Sequence, residues 1–178
     1  MRIDPKYFNL FIIICSVIAV IVITLSTIRY SNKQVFEFQH NISEIRLDTL
    51  VFRSYLQADS VHVSDFADRP IVIQFWSTWS GKSHSVNSFL NEYQMQNPDL
   101  IVIAAAVRDG EEQILEYIQG EKYDFLYVEG TGFYQQIYVP GMPAQILIDK
   151  NGQLFDTHIG DEIQNLKIKL NSLITYEE

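Results

Sequence analysis

The longest apolar stretch lies near the start of the chain, where Phe8 to Ile28 covers 21 residues without a charged side chain. As a helix it would be about 31 Å long, which matches the hydrocarbon core of a bilayer. A cleaved signal peptide has a shorter apolar core and a small-residue cleavage site, and no Ala-x-Ala pattern occurs near Ser26 to Tyr30. We therefore predict a transmembrane helix over 8–28 after a tail over 1–7, with a cleaved signal as the alternative.

The next segment is polar with scattered apolar residues and predicts a linker over 29–44 that merges into a first edge strand. From residue 45 onward, short apolar runs alternate with amphipathic segments, so we predict one folded domain over 45–178. Two runs predict buried central strands: Ile71–Phe75, which is apolar except at Gln74, and Leu100–Val107. Asn151-Gly152 lies between the apolar runs 144–148 and 154–159, and this arrangement predicts a β-hairpin.

Helical periodicity separates these strands. Val86, Phe89, Leu90 and Tyr93 share one face of a predicted helix over 83–97, and further helices are predicted after Glu111 and from about Asp161 to Ile174. Strand, helix, strand, helix, hairpin and final helix indicate an α/β fold with a mixed central sheet flanked by helices.

The acidic charge of the chain argues against nucleic acid as a partner. The formal net charge is -9, and the part beyond Lys33 contains 9 basic and 21 acidic residues. Phosphate binding needs clusters of Lys and Arg, so nucleic acid is an unsuitable partner.

The four histidines are scattered without metal-ligand spacing, and we predict no metal site and no cofactor. Cys15, the single cysteine, lies inside the apolar stretch and is expected to be a small apolar residue of the membrane helix.

The segment Phe75-Trp76-Ser77-Thr78-Trp79-Ser80-Gly81-Lys82-Ser83 follows the first central strand and precedes a helix. It resembles the active-site loop of the thioredoxin superfamily, whose pattern is Phe-Trp-x-x-Trp-Cys-x-x-Cys. The aromatic residues and the spacing match, whereas Ser80 and Ser83 stand where the two cysteines would be.

A second motif, Gly141-Met142-Pro143-Ala144, is followed by Ile146-Leu147-Ile148-Asp149 and Gly152. It resembles the family's Gly-x-Pro-Thr segment, in which the proline is cis and faces the Cys-x-x-Cys loop. With the N-terminal apolar stretch, the resemblance is to membrane-tethered thiol-disulfide oxidoreductases of the bacterial cytochrome-maturation type. It implies a thioredoxin-like fold over about 51–174, a cis bond before Pro143, and a loop that pairs with an extended partner peptide.

Four positions depart from the family pattern. Ser80 and Ser83 form no disulfide, and thiol-disulfide exchange needs an attacking thiolate and a resolving thiol. The family often has a buried acid where this chain has Gln74, and Ala144 replaces the usual threonine. Enzymatic activity is therefore uncertain, and the resemblance favours a redox-inactive module that binds a protein or peptide through Trp79, Ser80, Gly81, Lys82, Ser83, Met142 and Pro143.

The same residues are compatible with other roles. Ser80 and Ser83 are expected to cap the following helix, although His84, at i+4 from Ser80, could serve as a base for a serine nucleophile. Trp79, Met142 and Pro143 could form an exposed apolar patch or could pack in the core. The protein could also be an enzyme acting on external thiols or glutathione, or a structural subunit of a membrane assembly.

The basic residues that flank the apolar stretch barely indicate its orientation. Arg2 and Lys6 lie before it, and Arg29 and Lys33 lie after it. The α-amino group slightly favours an N-terminus inside the cell. We therefore predict a single-pass membrane protein whose folded domain lies on the extracytoplasmic, periplasmic side.

Overall fold

A computed structural model describes residues 5–176, with side chains from Asn9 onward. Its first element is α1, a helix of 39 residues over Pro5–Ser43. Residues 5–7 of the predicted tail belong to this helix, and residues 1–4 lie outside the described part. Within that part, α1 is the one helix long and apolar enough to cross a membrane, and a signal sequence would pass the same test.

The segment 29–44, predicted to be a linker that merges into a strand, is helical up to Ser43. That prediction of its conformation is wrong. Phe38 and Ile42, one helical turn apart, are fully buried in the core of the following domain. Because these two side chains gain burial only on the helical face, packing against the domain favours helix over an irregular linker.

Five strands form the central sheet in the order β5-β4-β3-β6-β7. The pairings β3–β4 and β4–β5 are parallel, whereas β3–β6 and β6–β7 are antiparallel. Two shorter strands pair antiparallel to each other beside this sheet. The strands are β1 Val51–Phe52, β2 Val61–His62, β3 Ile71–Trp76, β4 Ile101–Ala106, β5 Leu126–Glu129, β6 Ala144–Ile148 and β7 Leu154–Ile159.

Helices cover both faces of the sheet. The remaining helices are α2 Gly81–Gln96, α3 Glu111–Glu121, α4 Thr131–Gln136 and α5 Ile163–Thr175, with short 3-10 helices at Leu47–Thr49 and Val63–Phe66. The C-terminal end of α1 and α4 pack on one face, and α2, α3 and α5 pack on the other. The predicted mixed sheet flanked by helices is confirmed.

The two central strands β3 and β4 are buried along their whole length, as continuous apolar runs indicate. The predicted hairpin joins β6 to β7. Its turn contains Gly152 at φ 76°, a conformation that costs glycine little, and the Asp149 carboxylate accepts hydrogen bonds from the backbone N–H groups of Asn151 and Gln153 at 3.0 and 2.8 Å.

Candidate functional site

Residues 77–80 connect the end of β3 to the start of α2. Ser80 is the N-cap of α2, and its Oγ accepts a hydrogen bond from the backbone N–H of Ser83 at 3.2 Å. A serine at this position satisfies one of the N–H groups that a helix N-terminus leaves free. Ser83 lies inside the helix, fully buried, and its Oγ has no hydrogen-bond partner among the described residues. The predicted cap is therefore Ser80 alone.

His84 is not placed as a base for Ser80. Its Nε2 lies 2.8 Å from the backbone oxygen of Thr78. Its backbone N–H donates to the backbone carbonyl oxygen of Ser80 at 3.1 Å. Since the Ser80 hydroxyl faces the helix N-terminus and the imidazole faces Thr78, the two side chains do not form the nucleophile and base pair that a serine mechanism requires.

Asp109 holds the loop from the neighbouring strand. Its carboxylate follows β4 and accepts two hydrogen bonds from Thr78, one from the backbone N–H at 2.6 Å and one from Oγ1 at 3.0 Å. From the sequence, Asp109-Gly110 after the second apolar run is typical of a turn, and this pattern does not indicate a contact with Thr78. The position after a central strand, at the edge where the loop also lies, is the signal that could have identified it.

The Met142–Pro143 segment lies at the same edge of the sheet. In the antiparallel pairing of β3 with β6, Phe75 stands opposite Ala144, so Pro143 lies beside the end of β3. The Met142–Pro143 peptide bond is cis. Pro143 is buried and its oxygen accepts from the Gly160 N–H at 2.8 Å, so it contributes no exposed surface, whereas Met142 is half-buried against the core.

Lys82 joins α2 to the end of β7. Its Nζ lies 2.9 Å from Asp161 Oδ1, in an exposed ion pair. The hydrogen bond from Lys82 holds the pKa of the Asp161 carboxyl below its usual range. The loop 77–80, the N-terminus of α2, the Met142–Pro143 segment and residues 160–161 thus form one surface. Gly81, the first residue of α2, has open space around its Cα.

The two tryptophans of the loop differ in environment. Trp76 is fully buried, and its ring lies 4.5 Å from that of Tyr117. Burial raises the pKa of Tyr117 to about 12, so its phenol stays protonated. Trp79 is 66% exposed. Of the predicted exposed patch, the structure therefore exposes Trp79 and part of Met142.

A buried row of polar side chains lies beneath the loop. Gln74, Gln145 and His158 stand opposite one another on β3, β6 and β7, and Gln145 Nε2 donates to Gln74 Oε1 at 2.6 Å. Gln74 Nε2, Gln145 Oε1 and His158 Nε2 have no partner among the described residues. Burial, with a smaller effect of Lys169, lowers the pKa of His158.

This arrangement lacks a thiol. Cys15, in the apolar part of α1, is the one cysteine of the chain. Among the residues that the structure describes, no group of three or more His, Cys, Asp or Glu side chains could hold a metal ion. What the surface offers is hydroxyl groups, an exposed indole and backbone groups.

The comparisons with known proteins agree with this geometry. A thiol:disulfide interchange protein DsbE of Vibrio cholerae is 26% identical over 123 residues, which is 67% of this chain and 64% of that protein. The chain therefore matches slightly less than two thirds of this curated relative. No family model matches the sequence.

Solved structures show the same fold. A putative DsbE of Chlorobium tepidum superposes with a TM-score of 0.65 at 18% identity, covering 72% of this chain and 95% of that one. A secreted disulfide oxidoreductase of Mycobacterium tuberculosis, homologous to E. coli DsbE, gives 0.60 at 15% identity, with 72% and 98% covered. The chain is similar to thiol:disulfide interchange proteins of the DsbE type and shares their thioredoxin-like fold. The predicted fold class is confirmed, and this thioredoxin-like domain follows an apolar helix that is a candidate membrane span.

Proposed function

We propose that the protein is a redox-inactive thioredoxin-like module, held at the membrane by α1, that binds an extended segment of another protein. The observation that carries this proposal is the pair Ser80 and Ser83 in a loop that is otherwise held in place. Asp109 binds Thr78, and Ser80 caps α2. The scaffold of the loop is kept, while both reactive atoms are replaced.

The chemistry supports the redox part of the proposal. Disulfide exchange proceeds by attack of a thiolate on sulfur, and a second thiol resolves the mixed disulfide. A helix N-terminus lowers the pKa of a thiol into the useful range, but a serine hydroxyl there forms no S–S bond. Activation of an external thiol by Ser80 is not favoured either, because Ser80 Oγ is engaged as the helix cap.

The surface supports the binding part. Trp79 is exposed on the loop after β3, at the sheet edge where the Met142–Pro143 segment also lies. Neither the N–H nor the C=O of Met142 has a backbone partner among the described residues. Free backbone groups at the start of a strand can pair with an extended peptide, and neighbouring side chains then give specificity. The proposed binding surface consists of Trp79, Ser80, Gly81, Lys82 and Met142, and the buried Ser83 and Pro143 support it without facing solvent.

Insulin reduction with dithiothreitol tests the redox part. We expect the wild-type protein to give the rate of dithiothreitol alone. The double variant Ser80→Cys/Ser83→Cys is the matched control, because it restores both sulfur atoms on the same backbone, and we expect its rate to exceed the background. A wild-type rate above background in thiol-free preparations would refute redox inactivity.

Photo-crosslinking in the native membrane tests the binding part. A photoreactive amino acid at position 79 or 142 should capture a discrete partner, whereas the same amino acid at Met95 should not. Met95 is exposed and lies near the far end of α2. Capture from position 79 that persists after Ser80, Lys82 and Met142 are all changed to Ala would count against this surface.

The location belongs to the same proposal. We expect α1 to anchor the protein and the domain to lie on the extracytoplasmic side. Extraction of membranes with alkaline carbonate should leave the protein in the pellet, and protease added to intact spheroplasts should digest the domain. Release of a shortened chain into the supernatant would instead indicate a cleaved signal.

A further inference from the structure

Tyr138 stands at a backbone position that usually holds glycine. Helix α4 ends with the Val139 N–H bonded to the Tyr134 oxygen and the Tyr138 N–H bonded to the Gln135 oxygen, both at 3.2 Å. This pattern is a Schellman motif, in which the residue at Tyr138 adopts a left-handed conformation, and its φ is 55°. A bulky residue there costs stability that glycine would not.

The Tyr138 side chain does not recover this cost by packing. It is 69% exposed. From residue 45 onward, the exposed aromatic residues in the described part are Trp79, Tyr138 and Tyr176, and Tyr176 packs its ring on Phe155. Trp79 and Tyr138 have no aromatic neighbour in this part of the chain, so two free rings remain on the domain surface.

Both free rings lie at the same edge of the sheet. Trp79 is on the loop after β3. Tyr138 follows α4, whose Phe133 and Tyr134 contact Phe75 near the end of β3, with ring centroids 6.0 and 5.5 Å apart. Four residues further on, Met142 begins the segment that enters β6. Tyr138 and Trp79 are therefore both on loops that border the proposed binding surface.

The charge at this edge indicates the chemistry of the partner. Three basic side chains lie at this edge, Arg53, Lys82 and Arg108, and two of them are paired, Arg53 with Glu111 and Lys82 with Asp161. Carboxylates at the same edge outnumber them: Asp109, Glu111, Glu112, Glu129, Asp161 and Glu162. Aromatic faces attract ammonium and guanidinium groups, and an acidic surround adds to that attraction.

We propose that Tyr138 is a specificity residue of this surface, and that the surface takes an extended basic segment whose Lys or Arg side chains contact Tyr138 and Trp79. The inference rests on the proposed binding function and names its partner class. A left-handed tyrosine is then explained as strain retained at a binding site, since the strain keeps an aromatic ring where glycine would leave none.

Intrinsic fluorescence can test this in the full-length protein in zwitterionic nanodiscs. Of the two tryptophans, Trp76 is buried and Trp79 is exposed, so a titration reports on Trp79. The probes are two synthetic peptides of equal length, one alternating Lys with Thr and the other alternating Glu with Thr. We expect the Lys peptide to bind and the Glu peptide to bind at least about tenfold more weakly.

Tyr138→Gly separates binding from folding. It should raise the melting temperature by about 2–4 °C, because it relieves the left-handed strain. It should also lower the affinity for the Lys peptide about two- to fivefold, because the ring is lost. Tyr138→Phe keeps the ring and should bind as wild type. Lys122→Gly is the matched control: Lys122 ends α3 at φ 54°, and its replacement should stabilise the fold without changing binding.

The outcomes distinguish the two proposals. Trp79→Ala lacks the reporter, so its binding is measured by the anisotropy of a fluorescein-labelled Lys peptide. If Trp79→Ala weakens binding of the Lys peptide but Tyr138→Gly does not, the role of Tyr138 is overturned and the binding surface stands. Equal binding of the Glu peptide overturns the basic partner class. If neither peptide changes the fluorescence and crosslinking from position 79 captures no partner, the binding function itself is overturned.

Discussion

Single side chains decide what this loop can do. Ser80 and Ser83 occupy equivalent places in the family pattern, yet their environments differ: one hydroxyl caps α2, and the other is buried without a partner. The sequence predicts that serine can cap a helix, but it does not say which of two serines does so. That choice depends on where the helix begins, which the connection from β3 determines.

Ser80→Ala should lower the free energy of unfolding by about 1 kcal/mol, because it removes the only side-chain acceptor for the Ser83 N–H. Urea denaturation of the full-length protein in detergent, followed by circular dichroism, measures this. Ser85→Ala is the control. Its exposed Oγ bonds back to the Gly81 oxygen within the helix, and its loss should change stability by less than about 0.5 kcal/mol. Equal effects would contradict the capping role.

His158 should make stability depend on pH. Burial lowers its pKa in the folded state below the ordinary value of 6.5, so the unfolded chain takes up a proton first as the pH falls. Stability is then complete above about pH 6.5 and decreases below it. Between about pH 5 and 7.5, the midpoint of urea denaturation should change less with pH in His158→Gln than in the wild-type protein. His62→Gln, at an exposed position on β2, should keep the wild-type slope.

At the scale of elements, pattern and structure agree where packing is local. The continuous runs of β3 and β4, the amphipathic α2 and the Asn151-Gly152 turn are all encoded in short segments. Helix α4 was not predicted, because it has six residues and begins next to Gly130. The contact between Asp109 and Thr78 spans 31 positions, so no local pattern contains it. Which polar groups meet at the site depends on strand order.

The Gln74–Gln145 pair links β3 and β6, and a double-mutant cycle measures its coupling. Gln145→Leu should cost about 1–3 kcal/mol of unfolding free energy, because the amide of Gln74 is then left buried without its partner. Gln74→Leu should act similarly. The double variant should cost less than the sum of the two, since no amide then remains unsatisfied. Strict additivity in urea denaturation would show that the two amides are not coupled.

At the scale of the molecule, the apolar helix and the domain form a continuous structure. The sequence indicates the span by its length and hydropathy. It does not show that the helix continues to Ser43, because the segment after Lys33 is polar on average. The i, i+4 spacing of Phe38 and Ile42 is compatible with one face of a helix. It indicates a helix only when the surface on which that face packs is known, and this surface belongs to the folded domain.

Phe38→Ala should destabilise the domain by about 3–5 kcal/mol, because it leaves a cavity where a fully buried ring was. Phe36→Ala, two positions earlier on the same helix, removes a ring that is 68% exposed and should change stability by less than about 0.5 kcal/mol. Thermal denaturation of the full-length protein in detergent compares the two. Similar melting temperatures would mean that the end of α1 does not pack on the domain in solution.

An unbroken α1 has a consequence for geometry. Each residue added to a helix turns everything beyond it by about 100° and advances it by about 1.5 Å. One alanine inserted between Ser31 and Lys33 would therefore rotate the domain by about 100° about the helix axis, relative to its neighbours in the bilayer. A four-residue insertion would turn the domain to within about 40° of its original orientation and move it by about 6 Å along the helix axis. A partner fixed in the same membrane would tolerate the second change better than the first.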